Sequence, residues 1–283
     1  SAQMDLDLLI PKGHRSPIRE FLETLASTSQ VSATATIEKG LYKHLRFGGL
    51  SGRLTIQDGM LDLDRVVAQS GTGHAAGRMV VRLPKGEPAE TETSVRMTGI
   101  PAEALLQLLG AHDQPVTGDM KLTGAMRGHG RNPHGVLPTL NGKVELVLQD
   151  GRILKTEKRA IWKILSILNL SAVLQGKVDL EKEGLQYNRA SATLTVQNGL
   201  VKTQNIILDS AVLKISAVGT YDMPTDQLDM IWAVSPFGSY SQFLKSIPLF
   251  GRLVAGDRKG LATALFQVKG SIDDPQVTYM PMK

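Results

Sequence analysis

Apolar and polar residues alternate one by one along most of this chain. Met4, Leu6, Leu8 and Ile10 are separated by Asp5, Asp7 and a lone exception, Leu9. Val31, Ala33, Ala35 and Ile37 alternate with Ser32, Thr34, Thr36 and Glu38. The same rhythm carries Leu54 and Ile56, Leu61 and Leu63, then Val144, Leu146 and Leu148. It returns at Leu194 and Val196, at Leu213 and Ile215, and less cleanly at Met230 and Trp232. Phe266, Val268 and Ile272 close the series. Successive strand side chains point to opposite faces, so period two predicts strands with one greasy and one wet face. Sheets of that kind are normally antiparallel. Roughly fifteen such segments are expected by this criterion.

Turn chemistry supports the reading. Gln57-Asp58-Gly59, Gln149-Asp150-Gly151 and Gln197-Asn198-Gly199 are near copies of one tripeptide. Asp-Gly and Asn-Gly suit the positive-φ positions of a tight hairpin, so each predicts a turn. Gly71-Thr72-Gly73 reads as a further hairpin loop between two strand patterns. The tripeptides are unevenly spaced, which argues against a strict solenoid.

Helical spacing is confined to four stretches: 17–26, 101–109, 157–170 and 239–254, the last interrupted by Pro248. In the third, Ile161 to Leu170 predicts a cap or core helix. The fourth interleaves Phe243, Leu244, Leu249 and Phe250 with Lys245 and Arg252, a composition suited either to an anionic membrane surface or to a plug of plain core. Residues 85–90 and 127–138 read as loops, the second as a linker. It divides an N-terminal part, 1–130, from a C-terminal part, 139–283, in what is expected to be one continuous sheet.

Few helices must therefore cover a large greasy face. A closed or folded-over sheet turns that face inward, either as a packed core or as an open groove that holds acyl chains. Strand parity assigns Leu54, Ile56, Leu61, Leu63, Val144, Leu146, Leu148, Leu194, Val196, Leu213, Ile215, Met230, Trp232, Phe266 and Val268 to it. At ~4.8 Å per strand, about fifteen strands make a face on the order of 70 Å long.

Composition narrows the chemistry. The 283 residues contain no cysteine, which excludes disulfides, thiol nucleophiles, cysteine-ligated zinc and iron–sulfur sites. The formal charge of +5 is compatible with an ordinary solvated surface or an anionic partner. No apolar run is long enough for a membrane-spanning helix. The first residues, Ser1-Ala2-Gln3, read as the start of a processed chain or fragment. His129 and His134 are the only histidines close in sequence, and they lie in a Gly/Pro stretch without an acidic neighbour between them. Nucleotide-binding, zinc-protease and nucleophile-elbow spacings are absent. Carboxylate pairs Asp62/Asp64 and Asp273/Asp274 fall on polar faces or turns. Basic residues are scattered without aromatic platforms, which argues against nucleic acid. Neither an enzyme nor a cofactor or metal is expected.

Three stretches carry a family resemblance. Leu140–Ile153 reads LNGKVELVLQDGRI, and Tyr187–Ser210 reads YNRASATLTVQNGLVKTQNIILDS. Ile247–Val277 reads IPLFGRLVAGDRKGLATALFQVKGSIDDPQV. The order is a QNG hairpin, a Gly-ended strand, an LD strand, a hydrophobic helix with Ile-Pro, then V-K-G-S-x-x-D-P. It resembles the C-terminal region of the AsmA-like family of Gram-negative envelopes (the AsmA, TamB and YhdP type), over roughly residues 139–280. Tyr187 departs from the family's usual Phe. The resemblance implies a mainly β fold with a few short helices, its long, strongly curved antiparallel sheet folded into a taco-like apolar groove. It also implies a periplasmic setting, an inner-membrane anchor in the full-length protein, and phospholipid guided between the two membranes. Phospholipid, a membrane surface and other envelope proteins are the implied partners. Two other readings stay open: an adaptor with a packed β interior that binds no lipid, and a carbohydrate-active β-solenoid enzyme, which the uneven spacing opposes.

Overall fold

A computed structural model describes residues 4–5, 30–42, 45–108, 116–155, 158–168, 184–236 and 263–281. The described chain is mostly strand. In order come β1 (Met4–Asp5), β2 (Val31–Tyr42), β3 (Leu45–Gln57), β4 (Met60–Ser70), β5 (Gly73–Arg82) and β6 (Ala89–Pro101). Helix α1 (Ala102–Leu108), β7 (Asp119–Gly130), α2 (Pro133–Val136) and a 3-10 turn (Leu137–Thr139) follow. Then come β8 (Asn141–Ile153), α3 (Ala160–Ile167), β9 (Leu185–Gln197), β10 (Leu200–Asp209) and β11 (Leu213–Asp222). Strands β12 (Gln227–Pro236), β13 (Ala264–Gly270) and β14 (Gln276–Met280) complete it. Hydrogen bonding follows chain order from β1 to β14. This meander is the expected architecture: mainly β, antiparallel, with few short helices. Strand β1 pairs with β2 in parallel over two residues.

The chain divides into two compact units. The first holds Ser1–Gln114, Asp119–Leu146 and Val196–Gly199, and the second holds Pro115–Gly118, Val147–Thr195 and Leu200–Lys283. In the first, residues of one face pair directly across strands: Ala33 with Leu54, Leu54 with Leu63, Leu63 with Met79, Met79 with Thr93, Thr93 with Met126. The opposite face carries Thr55, Asp62, Glu92 and Arg127 in one such row, joined by Val80. Period two thus becomes two chemically distinct faces. A bulge interrupts it in β4, where register shifts between Leu63 and Val66 and Arg65 takes φ 52°. Beyond it Val66 and Ala68 take the apolar face, and Arg65 and Val67 the exposed one.

In the second unit the apolar face meets a helix. Ile161, Trp162, Ile164 and Leu165 of α3 are buried against Leu185, Tyr187, Leu213, Ile215, Val234, Phe266 and Val268. Ile164, Phe266 and Val268 are fully buried. The Trp162 indole N–H donates to the Leu154 carbonyl at 2.9 Å, which satisfies the one polar atom this ring brings inside. The Lys163 ammonium donates to Asp274 Oδ1 at 2.6 Å and to the Pro275 carbonyl at 2.8 Å, tying the helix to the β13–β14 loop.

Several local expectations are met and others corrected. Asp58-Gly59 and Asn198-Gly199 form the expected tight turns, each pair at positive φ. Gln149-Asp150-Gly151 does not turn: it lies inside β8. Asp150 takes φ 49° within the strand, as a bulge residue does. The loop read at 127–138 is instead the end of β7, α2 and the 3-10 turn, and the Thr139 hydroxyl bonds the backbone of His129 and Val136. The other expected loop, 85–90, is displaced: it runs over 83–88, between the end of β5 at Arg82 and the start of β6 at Ala89. Ile272 lies past the end of β13 and is 45% exposed. The helices expected at 101–109 and 157–170 are α1 and α3, whereas those at 17–26 and 239–254 lie outside the described residues.

Candidate functional site: the apolar sheet face

The parity-assigned residues fall into two environments. Leu54, Leu61, Leu63, Val144 and Leu146 of the first unit are half-buried, and only Ile56 and Val196 there are closed off, at 3% and 4% exposure. Met79, opposite Leu63, is 40% exposed. Helix α1 reaches β3 and buries Ala102 and Ala104, while Leu54, Leu61, Leu63 and Met79 stay half-buried or exposed. In the second unit Leu213, Ile215, Met230, Phe266 and Val268 are core, while Leu148 and Trp232 are half-buried against it. Leu194 is half-buried in β9.

A line of small residues crosses the first unit's face. Val66 pairs with Gly77, Gly77 with Val95, and Val95 with Gly124. Gly52 stands beside Val66, and a Cβ on Gly124 would come 3.3 Å from a Val144 methyl. Glycine and valine therefore alternate across β3 to β8, and nothing larger than valine rises from that row. Parity reading from Leu54, Leu61 and Val144 misses Val66, because the bulge at Arg65 inverts the alternation. The adjacent Val66-Val67 pair is the available signal, since strict alternation forbids it.

Chemistry is sparse on the described residues. Asp62 accepts a bidentate contact from Arg78, at 2.9 and 2.5 Å, and this guanidinium holds its carboxyl below the usual range. Asp64 lies beside Arg65 at 3.6 Å. Asp274 is taken by Lys163. The strongest polar cluster is structural: Asp226 accepts from the Tyr221 hydroxyl at 3.1 Å, the Ser271 hydroxyl at 2.5 Å and the Ile272 N–H at 3.2 Å. It clamps the β11–β12 turn to the residues after β13. Among the described residues no group of three metal-ligating side chains stands together, and no helix is long and apolar enough to cross a membrane. Phe243, Leu244, Lys245, Leu249, Phe250 and Arg252, expected to contact a membrane, lie outside the described residues.

Comparison with known proteins now bears on this fold. YhjG, an AsmA family protein of Escherichia coli (strain K12), is 27% identical over 117 residues, which are 41% of this chain and 16% of the relative. The matched stretch is thus a small part of that protein. No solved structure matches the chain. The family description "YhdP protein" matches residues 1–277, nearly the whole length. This chain, a long antiparallel meander with one apolar face, therefore belongs to the YhdP family, as the AsmA-like resemblance implied.

Proposed function

We propose that the chain is a lipid-binding and lipid-transfer module of the bacterial envelope that works by binding, without chemistry of its own. The observation that carries this is a row of half-buried and exposed apolar residues on one face of the first unit. Ala33, Leu54, Leu63, Met79 and Met126 stand in one row from β2 to β7, with only Thr93 interrupting it. Contiguous apolar surface of this kind marks a ligand or membrane site. Complete burial of a tail of about fifteen carbons gains on the order of 10 kcal/mol, at ~0.8 kcal/mol per CH2. The glycine–valine line lets such a tail approach the backbone closely. A lining broken only at Thr93 lets it slide with little return to water. A curved sheet forming a groove, a periplasmic location, an inner-membrane anchor on the full-length protein and membrane contact through 243–252 belong to the same reading. Its partners are phospholipid, a membrane surface and other envelope proteins.

A second reading has its own observation. The core around α3 is what an adaptor without lipid requires. The two are separated by native mass spectrometry and lipid extraction of the purified chain. Co-purified phospholipid that is lost in Leu63→Glu and Met79→Glu, with unchanged circular dichroism, supports the conduit. These positions are half-buried or exposed, so a charge there is compatible with folding. A charge at Ile215, 2% exposed in the core, would unfold the second unit and test nothing about lipid. A lipid-free chain that takes up no labelled phospholipid overturns the proposal in favour of the adaptor.

A further inference from the structure

The opposite, polar face of the first unit holds a feature that lipid binding does not use. Two open cavities of about 560 and 370 Å³ lie on it side by side and share Ala76 and Arg96. Together they form a trough across the strands, from Val67 and Gln69 of β4 to Lys143 and Glu145 of β8. Its floor is made of short side chains: Ala76, Ser94, Thr123 and Ala125. Five strands at ~4.8 Å give it a length of roughly 20 Å.

The charge along this trough is unbalanced. Ala76 pairs with Arg96 and Arg96 with Thr123, while Thr98 pairs with Lys121. Arg96 and Lys121 are therefore diagonal neighbours on one face. Both are exposed, and neither has an acidic partner among the described residues. Three nearby carboxylates are already engaged: Glu145 by Lys143 at 2.6 Å, Asp62 by Arg78 at 2.5 Å, and Glu92 by Arg82 at 3.4 Å, while Asp119 lies exposed two residues before Lys121 on the same face. The trough thus presents Arg96 beside a neutral floor with hydroxyls, and Lys121 stands just outside its lining on the same face.

We propose that this trough docks an extended, acidic segment of a partner polypeptide. The spacing fits. Diagonal neighbours across strands stand ~7–8 Å apart, and alternate side chains of an extended chain repeat every ~6.6 Å on one side. Two carboxylates at i and i+2 can therefore meet Arg96 and Lys121 together. Ser94, Thr98 and Thr123 supply hydroxyls for the peptide backbone between them. A membrane fits worse, because the floor is concave and carries no large apolar group to insert. A lipid on the apolar face cannot place its headgroup here, because the sheet stands between.

The test uses the whole chain and a fluorescein-labelled (Glu-Ser)4 peptide, read by anisotropy at low salt. Affinity is expected to fall at least tenfold in Arg96→Glu/Lys121→Glu and in Ala125→Trp, which fills the floor without changing charge. It is expected to be unchanged in Arg189→Glu on the second unit, and to be lost for (Gln-Ser)4. Circular dichroism confirms that each variant folds. Equal affinity of the double variant and the parent overturns the proposal. So does an outcome in which these substitutions abolish binding to vesicles containing anionic phospholipid and leave peptide binding intact.

Discussion

Tyr187 shows what one atom can add to a packed segment. Its ring is buried with the second unit's core, where Phe would serve equally well. Its hydroxyl donates to the Thr117 carbonyl at 2.5 Å. That carbonyl lies beside Gly118 and Gly151, where a Cβ would run into Gln149, Tyr187 or Thr117 atoms. The hydroxyl thus binds a segment packed too tightly to rearrange. Removing it leaves a carbonyl without this donor, a loss of about 1–3 kcal/mol. Tyr187→Phe should lower the urea midpoint of the second unit accordingly, with the denaturant slope unchanged. An unaltered midpoint would show that this hydroxyl contributes nothing.

At the scale of elements, what was legible in the sequence depended on how local the cause was. Hairpins at Asp58-Gly59 and Asn198-Gly199 follow from backbone geometry within the turn, so residue type alone predicts them. Asp150-Gly151 has the same residues and takes φ 49° at its first position, yet stays inside a strand. Whether a left-handed residue reverses the chain or makes a bulge is decided by the ladders around it, which one sequence does not display. The same limit hides the β4 bulge, and with it Val66. In β10, register shifts between Thr203 and Ile206, where Asn205 bonds both the N–H and the hydroxyl of Thr193. The greasy face was legible from period two, but not its division into half-buried positions such as Leu63 and closed ones such as Phe266. That division follows from where α3 docks, a long-range fact. Helix α3 itself was visible from its spacing, and it offers a sharp contrast. Leu165 is 1% exposed and Ile167 is 50% exposed. Leu165→Ala should cost about 2–5 kcal/mol through the cavity it leaves, and Ile167→Ala no more than ~0.5 kcal/mol. Similar costs at the two positions, measured by chemical denaturation, would mean that α3 does not dock as described.

For the whole molecule, the polar contacts set limits in pH. The carboxyl of Asp274 is held below its usual value by the Lys163 hydrogen bond and charge. That of Asp226 is lowered by the Ser271 hydroxyl and the Ile272 N–H, against a small desolvation effect. Lys143 lowers Glu145 and Arg78 lowers Asp62 in the same way. A depressed folded pKa stabilises the fold above the unfolded value and loses that contribution as pH falls through the folded value. The loss therefore begins below the ordinary values of 4.5 for Glu and 3.8 for Asp. At the other end, burial and then the Asp226 hydrogen bond raise the Tyr221 phenol above 10.0. Its contribution is complete below that pH and is lost as pH rises through the raised value. These five groups thus leave stability level across neutral pH and reduce it at both ends. Asp226 acts at both limits: it loses its acceptors' charge in acid and faces an ionised phenol in base. Asp226→Asn should therefore flatten both limbs of a urea-midpoint titration: the acid limb because the lowered carboxyl is gone, and the alkaline limb because the phenol loses a neighbour that opposes its ionisation and its folded value moves back toward 10.0. Asp274→Asn should affect the acid limb alone. Identical profiles for both variants would refute the assignment of Asp226 as the group that joins β11 and β12 to the residues after β13.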